Sequence, residues 1–96
     1  MYYVYILASK KNGTLYVGVT NHLERRLWQH RTTTDSSAFT KKYTVGRLVY
    51  YETYQSPKPA IAREKQLKAG SRKRKLELIE AKNPNWSDLS KDWVRK

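Results

Sequence analysis

The chain has 96 residues and carries 20 Lys and Arg against 8 Asp and Glu, a formal net charge of +12. This length predicts one domain with a modest core. So large a positive charge favours a polyanionic partner, nucleic acid ahead of a membrane surface. The absence of cysteine excludes disulfides, thiolate zinc sites and cysteine nucleophiles. Neither a signal peptide nor a transmembrane run is recognisable, so we expect a cytoplasmic protein.

The start of the chain predicts a β-hairpin. Residues 2–9 and 14–19 alternate in polarity and are rich in aromatic and β-branched side chains, which is typical of strands. Asn12-Gly13 between them tolerates the positive φ of a tight turn. Because side chains alternate along a strand, one face is predicted to face the core, with Val4, Ile6, Leu15, Val17 and Val19. The opposite face carries Tyr3, Tyr5, Tyr16 and Gly18.

A helix and a polar loop are predicted after the hairpin. Leu23 and Leu27 form the apolar stripe of the helix. Arg26 and His30 stand four residues apart at the edge of that stripe, so we expect them beside the core. Residues 31–44 form a polar loop, and a loop of this length is usually functional or disordered.

The second half of the chain predicts one strand, two helices and a tail. Residues 46–53 form the strand, residues 57–69 form a helix that stops at Gly70, and a last helix ends before Pro84. The order β-β-α-β-α-α predicts an α+β domain over residues 1–84, on a small three-stranded, mainly antiparallel sheet flanked by helices. The tail, residues 85–96, has the spacing of a short docked helix through Trp86, Leu89 and Trp93.

Glu64 is the acidic residue that the helical pattern singles out. Ala60, Ile61 and Leu67 define the buried stripe of its helix, and Glu64 points along that stripe. A carboxylate there needs a cation, a metal ion or a cage of hydrogen bonds, and an ion pair with a nearby arginine satisfies it equally well. The acidic residues form no cluster, which argues against a two-metal nuclease. A single Mg²⁺ remains compatible, since it often takes only one or two carboxylates.

Several further residues suit the chemistry of a phosphodiester. Arg26 offers a planar fork to a phosphate, and Tyr5 and Tyr16 share a face with Gly18, where a phosphate could approach closely. His30 could act as a general base, although a lone histidine at a helix edge is more often structural. A basic run over the last two helices predicts contacts with a nucleic-acid backbone, with a solvated face as the alternative. The residues expected to contact nucleic acid are Gly18, Lys41, Lys42, Tyr43, Arg63, Lys68, Arg72 and Lys73.

Four segments in the same order resemble the GIY-YIG nucleases. Tyr3-Val4-Tyr5, ten further residues and Tyr16-Val17-Gly18 are similar to the family signature, with Tyr3 in place of its first glycine. The segment from Thr20 to His30 resembles the family's first helix. Ala62-Arg63-Glu64-Lys65-Gln66 resembles the stretch with its metal-binding glutamate, and Asn83-Pro84-Asn85-Trp86 extends the likeness over nearly the whole chain. The likeness is greatest to the small, standalone, single-domain members.

The resemblance implies a DNA endonuclease that uses one divalent cation, Mg²⁺ or Mn²⁺. Glu64 would bind the ion beside the scissile phosphate, and Tyr5 would position or deprotonate the attacking water. Tyr16 would hold the phosphate or orient the nucleophile, Arg26 would neutralise the developing charge, and His30 would take part in proton transfer. Cleavage would be structure-selective or non-specific, because no second DNA-binding module is expected after residue 84.

Two other functions remain open from the residues alone. The first alternative is a non-catalytic protein that binds DNA or RNA through the same basic surface. The second is a ribosome-associated or RNA accessory factor. In every case we expect a monomer that does not bind membranes, and a protein partner could supply its specificity.

Overall fold

The computed structural model describes residues 1–32, 46–91 and 93, and it confirms the predicted order of elements and the α+β class. The helix predicted over residues 57–69 has those bounds, and the other boundaries differ from the predicted ones by at most two residues. The elements are β1 (Tyr2–Ala8), β2 (Leu15–Thr20), α1 (Leu23–Thr32), β3 (Arg47–Tyr54), α2 (Pro57–Ala69) and α3 (Arg72–Lys82).

The three strands form one sheet in the order β2-β1-β3, and β1 is antiparallel to both neighbours. The turn between β1 and β2 follows the Asn-Gly prediction, since Asn12 has a φ of 60° and the Gly13 amide donates to the Lys10 carbonyl at 2.9 Å. Tyr5 on the central strand lies opposite Gly18 on β2 and opposite Tyr51 on β3. This register brings the hairpin tyrosines next to the β2 edge of the sheet.

Both faces of the sheet are buried, whereas the sequence predicts a single core face. The expected face carries Val4, Ile6 and Val17 and packs against α2 and α3. The opposite face is covered by Leu23 and Leu27 of α1, and five consecutive side chains of β1, those of residues 4–8, are completely buried. The tyrosine face is therefore a second core. On α2 the buried stripe is narrower than predicted, because Ile61 is 43% exposed.

The described part of the tail docks on β3, and its residues 85–91 form turns in place of the helix expected there. The Trp86 side chain is fully buried in the core beneath α2 and α3, and its indole N–H donates to Glu80 at 3.2 Å. The Leu89 amide donates to the Leu48 carbonyl at 2.8 Å. Asn83 also serves this docking, since its side-chain amide donates to the Val49 carbonyl at 3.1 Å. The boundary at residue 84 stays a prediction.

Candidate active site

Tyr5 and Tyr16 lie together on the hairpin, and Gly18 makes room for Tyr5. The two rings have centroids 6.4 Å apart and are tilted by 44°. A Cβ atom added to Gly18 would lie 2.4 Å from the Tyr5 hydroxyl oxygen and 2.5 Å from Cζ. The space above the glycine is therefore filled by the Tyr5 ring, and a phosphate cannot occupy it while the ring is there. The place of Gly18 among the nucleic-acid contacts stays a prediction.

Arg26 of α1 donates a side-chain hydrogen bond to the Tyr5 hydroxyl. Burial raises the pKa of Tyr5 well above its ordinary value, and the neighbouring Tyr16 raises it further. The positive charge of Arg26 opposes this rise without cancelling it. Tyr5 therefore keeps its proton at neutral pH, which suits a group that orients a reactant better than one that deprotonates it.

Glu64 of α2 comes close enough to Tyr5 for its negative charge to contribute to the raised pKa of that phenol. The Glu64 side chain is only 12% exposed, as its position on the helical stripe predicts. Its carboxylate meets the Lys68 ammonium at 2.5 Å, one helical turn further on. Tyr16, Arg26 and Glu64, which come from three different elements, thus all lie close enough to Tyr5 to influence the pKa of its phenol. That these side chains form one catalytic site stays a prediction.

A single divalent cation fits the donor set around Glu64. In the part of the chain that the structure describes, no group of three His, Cys, Asp or Glu side chains could hold a metal ion. An all-protein cage is thereby excluded for these residues. Mg²⁺ retains most of its waters and binds through one or two carboxylates plus a substrate phosphate. Glu64 can supply one such carboxylate, and its side chain is nearly buried.

His30 and the polar loop were predicted to complete the site, and the structure describes them only in part. The backbone of residue 30 belongs to α1, one turn after Arg26, but its side chain lies outside the described portion. Lys41, Lys42 and Tyr43 lie entirely outside the described residues. Their expected roles stay predictions.

The basic residues of α2 and α3 are divided between internal contacts and the surface. Arg63 pairs with Glu52 at 3.0 Å, and Lys68 pairs with Glu64. Arg72 donates to the carbonyls of residues 12 and 13 at 2.8 and 2.7 Å, so it fastens α3 to the hairpin turn. Lys73 is exposed. Three of the four cations predicted to contact nucleic acid on these helices therefore also have partners within the protein.

A second cluster, which the sequence did not predict, lies at the β3 edge of the sheet. The Glu52 carboxylate accepts hydrogen bonds from Tyr50, from Tyr54 at 2.7 Å and from Arg63 Nε at 3.0 Å. The cluster borders a cavity of about 770 Å³, over which Lys82 approaches the Tyr50 ring at 5.6 Å from its centroid. The alternation of residues 50, 52 and 54 on one face of a strand was the signal available in the sequence.

The electrostatics of this second cluster follow from its saturation with hydrogen bonds. Burial and the hydrogen bond to Glu52 raise the pKa of Tyr50 to about 12. Burial also raises the pKa of Glu52, but the hydrogen bonds from Arg63 and the two tyrosines outweigh it, so the net pKa is lowered. Glu52 is therefore ionised and fully engaged at neutral pH.

The chain belongs to the GIY-YIG family, because residues 1–77 match the model of the GIY-YIG catalytic domain. Membership implies a nuclease-type function and binding of nucleic acid. None of the helices in the described residues combines the length and apolar character of a membrane span.

Individual relatives support the predicted likeness to small, single-domain members. A UPF0213 protein of Clostridium perfringens is 38% identical over 96% of this chain and 97% of its own length. A UPF0213 protein of Syntrophus aciditrophicus is 39% identical over 85% of this chain and 92% of its own. The solution NMR structure of the UPF0213 protein BH0048 from Bacillus halodurans is 27% identical, with a TM-score of 0.55, and covers 99% of this chain and all of that one.

Proposed function

We propose that this protein is an endonuclease that hydrolyses phosphodiester bonds of DNA with the help of one Mg²⁺ or Mn²⁺ ion. The observation that supports the proposal is the convergence of Arg26 and Glu64 on the Tyr5 hydroxyl. The hydroxyl of the fully buried Tyr5 and the nearly buried Glu64 carboxylate are polar groups of the kind that cluster at functional sites. The net charge of +12 supplies the sequence-independent attraction to a nucleic-acid backbone.

Each side chain has a task that its position suits. Glu64 holds the divalent cation, which when bound stabilises negative charge on phosphate oxygens. Arg26 presents its remaining donors to the same phosphate and neutralises charge in the transition state. Tyr5, protonated at neutral pH, donates a hydrogen bond that orients the nucleophile, and Tyr16 holds the phosphate. His30 is the proposed proton acceptor.

The features of the substrate that we propose concern the structure of the DNA and not its base sequence. The signature hairpin, α1 and α2 supply the chemistry, while target choice by sequence usually needs a further module. We therefore propose cleavage that is structure-selective, at flaps, nicks or single strands, or non-specific. The protein is proposed to act as a cytoplasmic monomer, with DNA preferred over RNA, and a role in DNA repair would suit such a substrate.

Nicking of supercoiled plasmid and cutting of branched DNA, with and without Mg²⁺, tests the proposal. Glu64→Ala should abolish Mg²⁺-dependent cleavage and leave binding intact, because it removes the metal ligand and not the basic surface. Glu77→Ala is the matched control, since it removes an exposed glutamate from α3. Wild-type protein that binds DNA and never cuts any of these substrates would refute the nuclease and favour the non-catalytic binding protein.

A further inference from the structure

The ion pair between Glu64 and Lys68 occupies the carboxylate that the proposed metal site needs. The two residues are unequally buried, since the Glu64 side chain is 12% exposed and the Lys68 side chain 52% exposed. The carboxylate is held in place by the packing of α2 on the sheet. The ammonium, by contrast, ends a flexible four-carbon stem that reaches solvent.

One carboxylate cannot hold an ammonium and a divalent cation at full strength. Two cations at the same oxygen atoms repel each other, and solvent screens this repulsion poorly where the carboxylate is nearly buried. Of the two partners, only the lysine side chain can move away at low cost, because it is half-exposed. A metal ion that binds Glu64 must therefore displace Lys68.

A displaced ammonium remains close to the site, since it can move only as far as its stem allows. A phosphate bound beside Glu64 and Arg26 would lie within reach of Lys68. The lysine then has a negative partner in both states, the carboxylate before the ligands bind and the phosphate afterwards.

We propose that Lys68 is a resident counterion of Glu64, which the divalent cation displaces and which then binds a phosphate of the nucleic acid. This inference rests on the proposed function, because it takes Glu64 as the metal ligand. The exchange of Lys68 predicts positive cooperativity between binding of the metal ion and binding of the nucleic acid. Such coupling is reciprocal, so each ligand raises the affinity for the other by the same factor.

Binding of Mn²⁺ to the full chain tests the inference without any cleavage assay. Paramagnetic broadening of the Gly18 and Glu64 amide signals in NMR spectra gives the Mn²⁺ affinity at this site. Without nucleic acid, Lys68→Met should bind Mn²⁺ about three- to tenfold more tightly than the wild type, because the competing ammonium is gone. Lys65→Met is the matched control, since it removes the same charge from an exposed position on α2, and it should stay within about twofold of the wild type.

Adding a phosphorothioate DNA oligonucleotide tests the second half of the inference. The DNA should raise the Mn²⁺ affinity of the wild type and of Lys65→Met by a larger factor than that of Lys68→Met. Equal Mn²⁺ affinities for the two lysine variants without DNA, or equal gains on adding it, would overturn the counterion role.

Glu64→Gln separates that failure from a failure of the proposed function. If Glu64→Gln loses the Mn²⁺-dependent broadening while both lysine variants match the wild type, the metal site stands and only the role of Lys68 falls. If Glu64→Gln binds Mn²⁺ as the wild type does, the ion is not at Glu64, and both proposals fall.

Discussion

Two clusters built from the same side-chain types, two tyrosines, an arginine and a glutamate, lie at opposite edges of the sheet. At the β3 edge, Glu52 accepts hydrogen bonds from both tyrosines and from Arg63. At the β2 edge, Arg26 instead bonds the Tyr5 hydroxyl, and Glu64 pairs with a half-exposed lysine. The kinds of residue do not distinguish the clusters. The way in which each carboxylate is satisfied does. Glu52 is saturated by side chains of β3 and α2, whereas we propose that a ligand can replace the half-exposed Lys68 at Glu64.

The largest expected effect concerns the two arginines. Arg26→Ala should lower the rate of plasmid nicking by about 10²- to 10³-fold, because it removes transition-state charge stabilisation. It should lower the melting temperature only moderately, since α1 keeps its apolar contacts through Leu23 and Leu27 and loses one hydrogen bond to the Tyr5 hydroxyl. Single-turnover cleavage rates and thermal denaturation measure the two quantities. If the loss of folded protein accounts for the whole fall in the cleavage rate, the role of Arg26 is structural and not catalytic.

Arg63→Met should show the opposite behaviour. It leaves the Glu52 carboxylate, 15% exposed, without its cation, and should cost about 2 kcal/mol of the free energy of unfolding. For a domain of this size that lowers the melting temperature by roughly 10 °C. Urea denaturation measures the loss, and cleavage per folded molecule should change much less than in Arg26→Ala. Unchanged stability would contradict the view that the β3-edge cluster is structural.

Two glycines sharpen the comparison further. Gly18→Ala places a Cβ atom against the buried Tyr5 ring and should cost about 1–3 kcal/mol of stability, together with activity, because the phenol must shift. Gly70→Ala is the control, since its Cβ would lie 3.4 Å from the nearest carbonyl oxygens and its φ is −75°. Denaturation curves and nicking rates of both variants decide the matter. Equal behaviour of the two would show that the Tyr5 ring is not confined as described.

The smallest expected effect is the pH dependence of the β3-edge cluster. The folded chain lowers the pKa of Glu52 below its ordinary value of 4.5, so its stabilisation is complete above that pH. The stabilisation disappears as the pH falls through the lowered pKa. The stability difference between the wild type and Glu52→Gln should therefore be constant near neutral pH and shrink as the pH falls below 4.5 towards the lowered pKa. Urea denaturation across this range measures it, and a difference that grew in acid would reverse the assigned shift.

The sequence predicts those features that local patterns carry. The Asn12-Gly13 turn, the order of elements and the inward position of Glu64 all follow from neighbouring residues and from helical or strand periodicity. The ion pair between Glu64 and Lys68 could also be predicted from the sequence, since residues four apart on a helix lie next to each other. The sequence analysis left a metal ion, a cage of hydrogen bonds and an ion pair with an arginine open for Glu64, and its partner in the structure is this lysine.

Long-range relations account for what the sequence did not predict. The second core could be predicted only from the knowledge that α1 covers the tyrosine face. Strand alternation shows which face Tyr5 lies on but not whether a helix covers that face. The pairing of Glu52 with Arg63 joins a strand to a helix, so neither element shows it. The role of Gly18 depends on the Tyr5 ring across the hairpin, and a glycine in a strand is equally typical of a close approach by a ligand.

The central place of β1 has a consequence for synthesis of the protein. Of the three strands, β1 is synthesised first, yet its second neighbour, β3, begins only at residue 47. Until β3 has been made, one edge of β1 has no partner strand, and residues 4–8, which are fully buried in the folded protein, are not yet covered. A nascent chain in this state is prone to associate with other chains. The carboxylate at residue 64 arrives later still. An incompletely made chain therefore has the tyrosines but lacks its only proposed metal ligand, and we expect it to be unable to cut.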